Sequence, residues 1–354
     1  IHWHKAPGKI LDYSSPPFRK WFAGGETNLC YNAVDRHLEE RGEQLALVGY
    51  STETDSVREL SYRELHREVN VFAAVLGSLG VSKGDRVVIY MPHTVDAIVA
   101  MLACARIGAI HSVVFGGFAS KNLALRIDDA EPKVLVCADA GSRGGKVIPF
   151  KPLVDEALAQ AAHPPAHVLV VSRGLAGEVP MQEGRDLDYA ALRRDHEDAQ
   201  VPVQWLESNE PSYILYTSGT TGTPKGVQRD VGGYAVALAL SMWAVYDIRP
   251  GQVMFSTSDI GWVVGHSYNG YGRRHVDHLR RTADPAGPRD LVEAVRTVRR
   301  AHDVFRAHRA AGAEEVRHVV HHRTRPVEAG TPVPGRRAAG RSNRALGLRR
   351  AWQA

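Results

Sequence analysis

Residues 273–354 contain no isoleucine, lysine, methionine, cysteine or tyrosine, and the last lysine of the chain is Lys225. A segment without these types has little from which to pack a core, so an irregular tail is expected there. The whole chain has three cysteines, Cys30, Cys104 and Cys137. They are far apart and form no CxxC, which excludes a disulfide framework and fits free thiols in a reducing compartment. No apolar run reaches the roughly 18 residues that a membrane-spanning helix needs. The start, Ile1 His2 Trp3 His4, has neither an initiator Met nor a basic-then-apolar leader. The expectation is a soluble, cytoplasmic protein with no membrane partner and a true N-terminus upstream of Ile1.

Charge is divided unevenly. The net charge is +5, a value that alone suggests affinity for nucleic acid. However, residues 273–354 hold 19 arginines and 8 acidic residues, while residues 1–272 hold 25 basic and 31 acidic ones. The part with core-forming composition is therefore mildly acidic, and no nucleic-acid partner is expected of it. The arginine-rich part has the charge for phosphate contacts but only two aromatics, Phe305 and Trp352, for stacking on bases.

What is present before residue 273 alternates. Residues 28–42 read as a helix. A second helix starts at Ser61, where Ser-Tyr-Arg-Glu is a capping box ahead of Leu65, Val69, Phe72, Leu76 and Leu79, and Gly80 stops it. Strands are expected at 87–90, 110–115, 134–138 and 167–171, with helices at 94–107, 119–130 and 153–162 between them. Residues 172–186 read as a surface connection and 212–216 as a further strand. Short buried strands separated by helices predict an α/β fold, a parallel sheet covered by helices on both faces.

The strand at 212–216 delivers YTSGTTGTPKG, residues 216–226. Gly219 and Gly222 permit tight turns with backbone N–H groups pointing inward. Thr217, Ser218, Thr220 and Thr221 add hydroxyls, and Lys225 adds a positive charge on a mobile stem. This is the chemistry of a polyphosphate site. It differs from a Walker A loop, in which glycine directly precedes the lysine. A polar turn between two strands explains the Gly, Ser and Thr content but not this order of residues.

The string resembles the signature of the AMP-forming acyl-CoA synthetases, the adenylate-forming superfamily. Asp259 onward, DIGWVVGHSY, is similar to the following motif of the short-chain members; VVFGGFAS (113–120) and ADAGSRGGKVIPFK (138–151) are similar to their upstream segments. The resemblance spans about residues 3–272. Gln228, Arg229 and Asp230, with Gly232, Gly233 and Tyr234, look closer to propionyl-CoA synthetases than to acetyl-CoA synthetases. Acetate remains the alternative substrate.

The resemblance implies a partial adenylation domain over 1–272 and a reaction of a short-chain carboxylate, ATP and CoA through an acyl-adenylate. Thr217, Ser218, Gly219, Thr220, Thr221, Gly222 and Lys225 would hold ATP, with Thr217 and Lys225 acting on the phosphates and Mg²⁺ neutralising them. Arg143, Gly144, Gly145 and Lys146 would contact CoA; a solvated basic loop is the plainer reading of those four. Trp262, Val263 and Val264 would line the acyl pocket, or serve only as core. No resident metal is expected, and His266 receives a structural role. Oligomeric state has no signal in the sequence.

The family continues with an adenine- and ribose-binding motif and a small C-terminal domain bearing a second, adenylating lysine. Residues 273–354 resemble neither. Back-translated and read one nucleotide later, VFRAHRAAGAEE (304–315) allows FSAPTALRVLKK, and RDLV (289–292) allows GIWW. Both resemble the family's own continuation. A frame lost near Gly272 in a GC-rich gene is therefore expected, leaving a chain whose full activity is lost or a non-catalytic nucleotide- or CoA-binding fragment.

Overall fold

In a computed structural model of the chain, residues 1–51, 53–143, 146–217, 224–249, 252–256, 258–270 and 275–279 are described. All lie in the first of two units, Ile1–Val304. The chain opens with a hairpin of β1 (Lys9–Ser15) and β2 (Phe18–Ala23), then β3 (Glu26–Thr27) and two short helices, α1 (Leu29–Ala33) and α2 (Leu38–Arg41). A second hairpin, β4 (Leu45–Ser51) and β5 (Ser56–Ser61), leads into α3 (Tyr62–Ser78). From there β6 (Arg86–Tyr90), α4 (Val95–Ile107), β7 (Ile110–Val113), α5 (Ser120–Ala130) and β8 (Val134–Ala138) alternate. The hairpin β9 (Ala140–Arg143) and β10 (Lys146–Pro149) precedes α6 (Lys151–Gln160), β11 (His167–Val171), β12 (Asp186–Asp188), α7 (Tyr189–Asp195) and β13 (Leu206–Glu207). Last come β14 (Pro211–Thr217), β15 (Lys225–Asp230), α8 (Gly232–Ala244), β16 (Val253–Ser256), α9 (Val263–Gly270) and β17 (His275–Leu279).

Local chemistry sets the ends of the long helices. At α3, the Ser61 hydroxyl accepts from the Glu64 amide at 3.2 Å while the Glu64 carboxylate accepts from the Ser61 amide at 2.7 Å. This capping box is worth about 1 kcal/mol. Thr94 caps α4 in the same sense, and Gly108 ends it with φ +72°, a left-handed conformation that costs glycine nothing.

The main sheet has seven strands in the order β12-β11-β8-β6-β7-β14-β15. All neighbours run parallel except β14 and β15. β7 and β8 are buried at every position, as strands covered on both faces must be. The crossover from β6 through α4 moves the chain outward to β7, and the next, through α5, carries it back past β6 to β8. Right-handed crossovers in opposite directions put α4 and α5 on opposite faces. The connections of β6 and β8 therefore leave in opposite directions, and the carboxyl ends of these two strands are the switch point at which parallel sheets bind ligands.

Two sequence expectations are corrected. The single helix over 28–42 is broken after α1, where Val34 has φ −125° and ψ −68° and a 3-10 turn follows over Asp35–His37. The break turns Asp35 toward Arg106, which donates to both of its carboxylate oxygens at 2.8 and 3.0 Å. Residues 140–149, for which no element was expected, form the β9–β10 hairpin. The irregular stretch expected from residue 273 begins with a strand: the main chain of β17 runs parallel to β16 on one side and to β4 on the other. The rest of that expectation lies outside the described residues.

Candidate functional site

β14 is an inner strand of the sheet, and its apolar residues deliver Thr217 to the carboxyl edge, where both Thr217 and Lys225 are exposed. β15 returns antiparallel, so that Thr217 pairs with Lys225 and Tyr216 with Gly226. The two ends of the proposed phosphate loop thus stand opposite one another as cross-strand partners. Ser218, Gly219, Thr220, Thr221 and Gly222 lie outside the described residues. Gly226 permits the close return: a Cβ there would sit 3.0 Å from the Ile214 side chain and 3.3 Å from the Tyr216 ring.

The predicted acyl wall meets a different motif. Asp259 shapes the turn before α9, its carboxylate accepting from the Gly261 amide at 2.7 Å and its carbonyl from the Trp262 amide at 3.0 Å. Gly265 is required in this turn, because a Cβ there would fall 2.2 Å from the Asp259 carbonyl oxygen. Gly261 lets the turn lie against the backbone of Phe115, 3.0 Å from where its Cβ would be. As a result the Trp262 and Phe115 rings approach to 6.3 Å between centroids. The segments DIGWVVGHSY and VVFGGFAS, far apart in sequence, therefore meet at the carboxyl end of β7. Trp262, Val263 and Val264 are 56%, 54% and 43% exposed. They form an open apolar face, and none of them lines the described cleft of about 160 Å³ beside Ser51, Arg58, His93, Asp96 and Arg173.

In contrast with these three, His266 of α9 is wholly buried. Its Nε2 is 2.8 Å from Nε2 of His111 on β7, and its ring lies 4.2 Å from that of Tyr213 on β14. This fastens α9 to the centre of the sheet, the structural role expected of it. Burial lowers the pKa of His111 to about 3. Burial, and then the neighbouring His111, hold His266 well below the usual imidazole range.

The residues predicted to contact CoA fall at the tip of the β9–β10 hairpin, where Arg143 pairs with Lys146. Lys146 is exposed, and Gly144 and Gly145 lie outside the described residues. Glu53 accepts from the Ser142 amide at 2.6 Å, next to the tip, and pairs with Arg173, which donates to the Ala140 carbonyl at 3.0 Å at the root of the hairpin. Among the described residues no group of three or more His, Cys, Asp or Glu side chains is placed to hold a metal ion, and no helix is long and apolar enough to cross a membrane. The Phe115 turn was quoted as a motif without a role, and its contact with Trp262 depends on packing across about half the chain. Arg126 and Asp129, which touch Tyr216 at the root of the proposed phosphate loop, carried no signal beyond their i, i+3 spacing on α5.

Residues 34–273 match the sequence profile described as AMP-binding enzyme, and residues 1–33 match that of the acetyl-coenzyme A synthetase N-terminus. The chain belongs to the AMP-binding enzyme family. Within this family it is 61% identical over 268 residues to a propionate–CoA ligase of Salmonella typhimurium, covering 76% of this chain and 42% of that protein. It is 50% identical over 276 residues to the mitochondrial acyl-CoA synthetase short-chain family member 3 of Mus musculus, covering 77% and 40%. Against an acetyl-coenzyme A synthetase of Thiobacillus denitrificans the identity is 48% over 273 residues, covering 77% and 41%. The chain spans about two fifths of the length of the curated relatives it matches. As a member of the AMP-binding enzyme family its match ends at residue 273, where the composition changes.

Proposed function

We propose that residues 1–272 are the first part of a short-chain acyl-CoA ligase that forms AMP, with propionate as the acid and acetate as the alternative. The observation that carries this reading is the pairing of Thr217 with Lys225 across the mouth of a Gly-, Ser- and Thr-rich loop at the carboxyl edge of the sheet. Backbone amides and hydroxyls of residues 217–222 would cradle the β- and γ-phosphates of ATP. Lys225 and a Mg²⁺ ion brought in with the nucleotide would neutralise their charge. With that charge balanced, a carboxylate oxygen of the acid attacks the α-phosphorus, and the bond to the bridging oxygen of the β-phosphate breaks. The products are acyl-adenylate and pyrophosphate. The CoA thiolate then attacks the acyl carbon and AMP leaves.

Arg143 and Lys146, cross-strand partners at the tip of the β9–β10 hairpin where Lys146 is exposed, suit an anionic group of CoA. Trp262, Val263 and Val264 suit a short apolar acyl chain. Propionate is favoured by 61% identity to a protein named propionate–CoA ligase against 48% to one named acetyl-coenzyme A synthetase. These reactions are the chemistry of small soluble metabolites, and a cytoplasmic location accords with them.

Residues 273–354 are proposed to be the product of a shifted reading frame. Residues 273–354 contain no lysine; a shifted frame there would replace the part of the family that bears the second, adenylating lysine, and the chain is proposed to bind nucleotide or CoA without full turnover. The exposure of Trp262, Val263 and Val264 favours that outcome, since an open acyl wall does not exclude water from an adenylate. Pyrophosphate exchange into ATP, measured with propionate and with acetate, tests the reaction, and equilibrium dialysis with labelled ATP and CoA tests binding. Exchange at the rate of a full-length ligase would sink the claim of lost turnover, and absence of both exchange and binding would sink the ligase reading. Resequencing decides the frame: an uninterrupted gene with no family-like continuation in the neighbouring frame removes that part.

A further inference from the structure

The phosphate loop is held at its root by a helix that sequence reasoning left without a role. Arg126 and Asp129 are three residues apart on α5, so they share one face of it. The Asp129 carboxylate accepts from the Tyr216 hydroxyl at 2.6 Å. The Arg126 guanidinium lies over two rings, 4.5 Å from the centroid of Phe118 and 5.3 Å from that of Tyr216. Arg126 is 5% exposed, donates to the Asn122 carbonyl at 2.6 Å, and forms no ion pair with a carboxylate among the described residues. An arginine stays charged at any ordinary pH, and a buried one without a carboxylate partner draws its compensation from the π-faces around it. Burial, followed by the bond to Asp129, pushes the Tyr216 phenol up, so the hydroxyl stays protonated and able to donate.

Phe118 closes the Phe115 turn, and its carbonyl accepts from the Tyr90 hydroxyl at 2.8 Å. Tyr216 immediately precedes Thr217. One helical face therefore grips both the turn that meets Trp262 and the strand end from which the phosphate loop departs.

We infer that Arg126 and Asp129 are positioning residues for the phosphate loop, a two-point clamp on Tyr216 that sets the direction in which Thr217 leaves the sheet and Lys225 returns. The inference rests on the reading of residues 217–225 as a phosphate site, and its consequences reach beyond it. Their side chains are engaged with Tyr216 and Phe118, and they fix the ring and the hydroxyl of the residue that precedes the loop.

The test uses the full chain with Arg126→Met, which keeps volume and removes charge, and Asp129→Asn, which keeps shape and weakens the acceptor. Dissociation constants for MgATP and for CoA are measured by dialysis, together with the rate of cleavage after Lys225 by a lysine-specific protease, relative to the exposed Lys9. Both variants are expected to weaken MgATP by about tenfold, the loss of one charge-assisted contact, to leave CoA binding unchanged, and to speed cleavage at Lys225 selectively. Arg126→Lys, which keeps a cation over the rings, is expected to restore part of the resistance to cleavage. Unchanged cleavage at Lys225 in both variants overturns the clamp. A wild-type chain that binds no MgATP overturns the ligase reading, while the cleavage rates still decide the clamp. If either variant fails to fold, Tyr216→Phe, which removes only the bond to Asp129, takes its place with the same expected acceleration.

Discussion

The Nε2 atoms of His111 on β7 and His266 on α9 lie 2.8 Å apart in the interior, with neither ring exposed. A hydrogen bond between two imidazoles needs one neutral acceptor, and burial lowers the pKa of both rings. In the unfolded chain each takes up a proton near pH 6.5. In the folded chain His111 does so only at about pH 3. Between those values the unfolded state binds more protons, so stability falls as the pH falls from about 6.5, by up to about 1.4 kcal/mol per pH unit for each histidine. Urea denaturation between pH 8 and pH 5 is expected to show this loss, and His266→Gln to flatten it. An equal slope in the variant would remove the pair as its source.

Lys225 is exposed at the first position of β15, so Lys225→Met is expected to leave the thermal midpoint unchanged. Its effect falls on anion binding. A weakening of MgATP by about tenfold or more is expected from the loss of a charged donor, measured by dialysis. A parallel loss of CoA affinity would indicate instead that the fold itself had suffered.

Ile260 is fully buried beside Trp262, which is 56% exposed. Ile260→Ala is expected to destabilise the chain by about 2–5 kcal/mol through loss of contacts and the cavity left behind. Trp262→Ala is expected to stay within about 0.5 kcal/mol. Urea midpoints of the two variants separate a residue that builds the turn from one that the turn displays.

Arg106 is buried on α4 and grips Asp35. Arg106→Met alone is expected to cost about 3 kcal/mol, since it leaves the Asp35 carboxylate to the weaker contacts of His66 at 3.4 Å and the Cys30 thiol at 3.8 Å. Adding Asp35→Leu is expected to recover part of this, and a double-mutant cycle reads the difference. Simple additivity of the two losses would show that the pair is not coupled.

Elements fixed by near neighbours were legible in the sequence. Ser61 and Glu64 announce the start of α3, Gly108 the end of α4, and Val134 to Ala138 a strand buried on both faces, because each signal lies within a few residues. What depended on distant partners was not legible. The helix over 28–42 breaks because Asp35 answers to Arg106, 71 residues away, and β3 exists by pairing with β13 near residue 206. The site divides in the same manner. Thr217 and Lys225 belong to one short motif and could be named together, whereas the contact of Tyr216 with Asp129 spans 87 residues and that of His111 with His266 spans 155.

The element that follows the proposed phosphate loop is the strand β15, which runs from Lys225 to Asp230 before α8 begins at Gly232. Loops that open directly onto a helix present an anion to the positive end of the helix macrodipole, a fixed field of about half a charge. A loop that opens onto a strand has no such field behind it, since strand dipoles nearly cancel. With residues 217–225 holding phosphates as proposed, the compensating charge would arrive on carriers that move, the Lys225 ammonium and a divalent ion. Nucleotide affinity in such a loop is set by the ionic composition of the medium as much as by the protein, and it declines steeply when divalent ions are chelated or monovalent salt is raised.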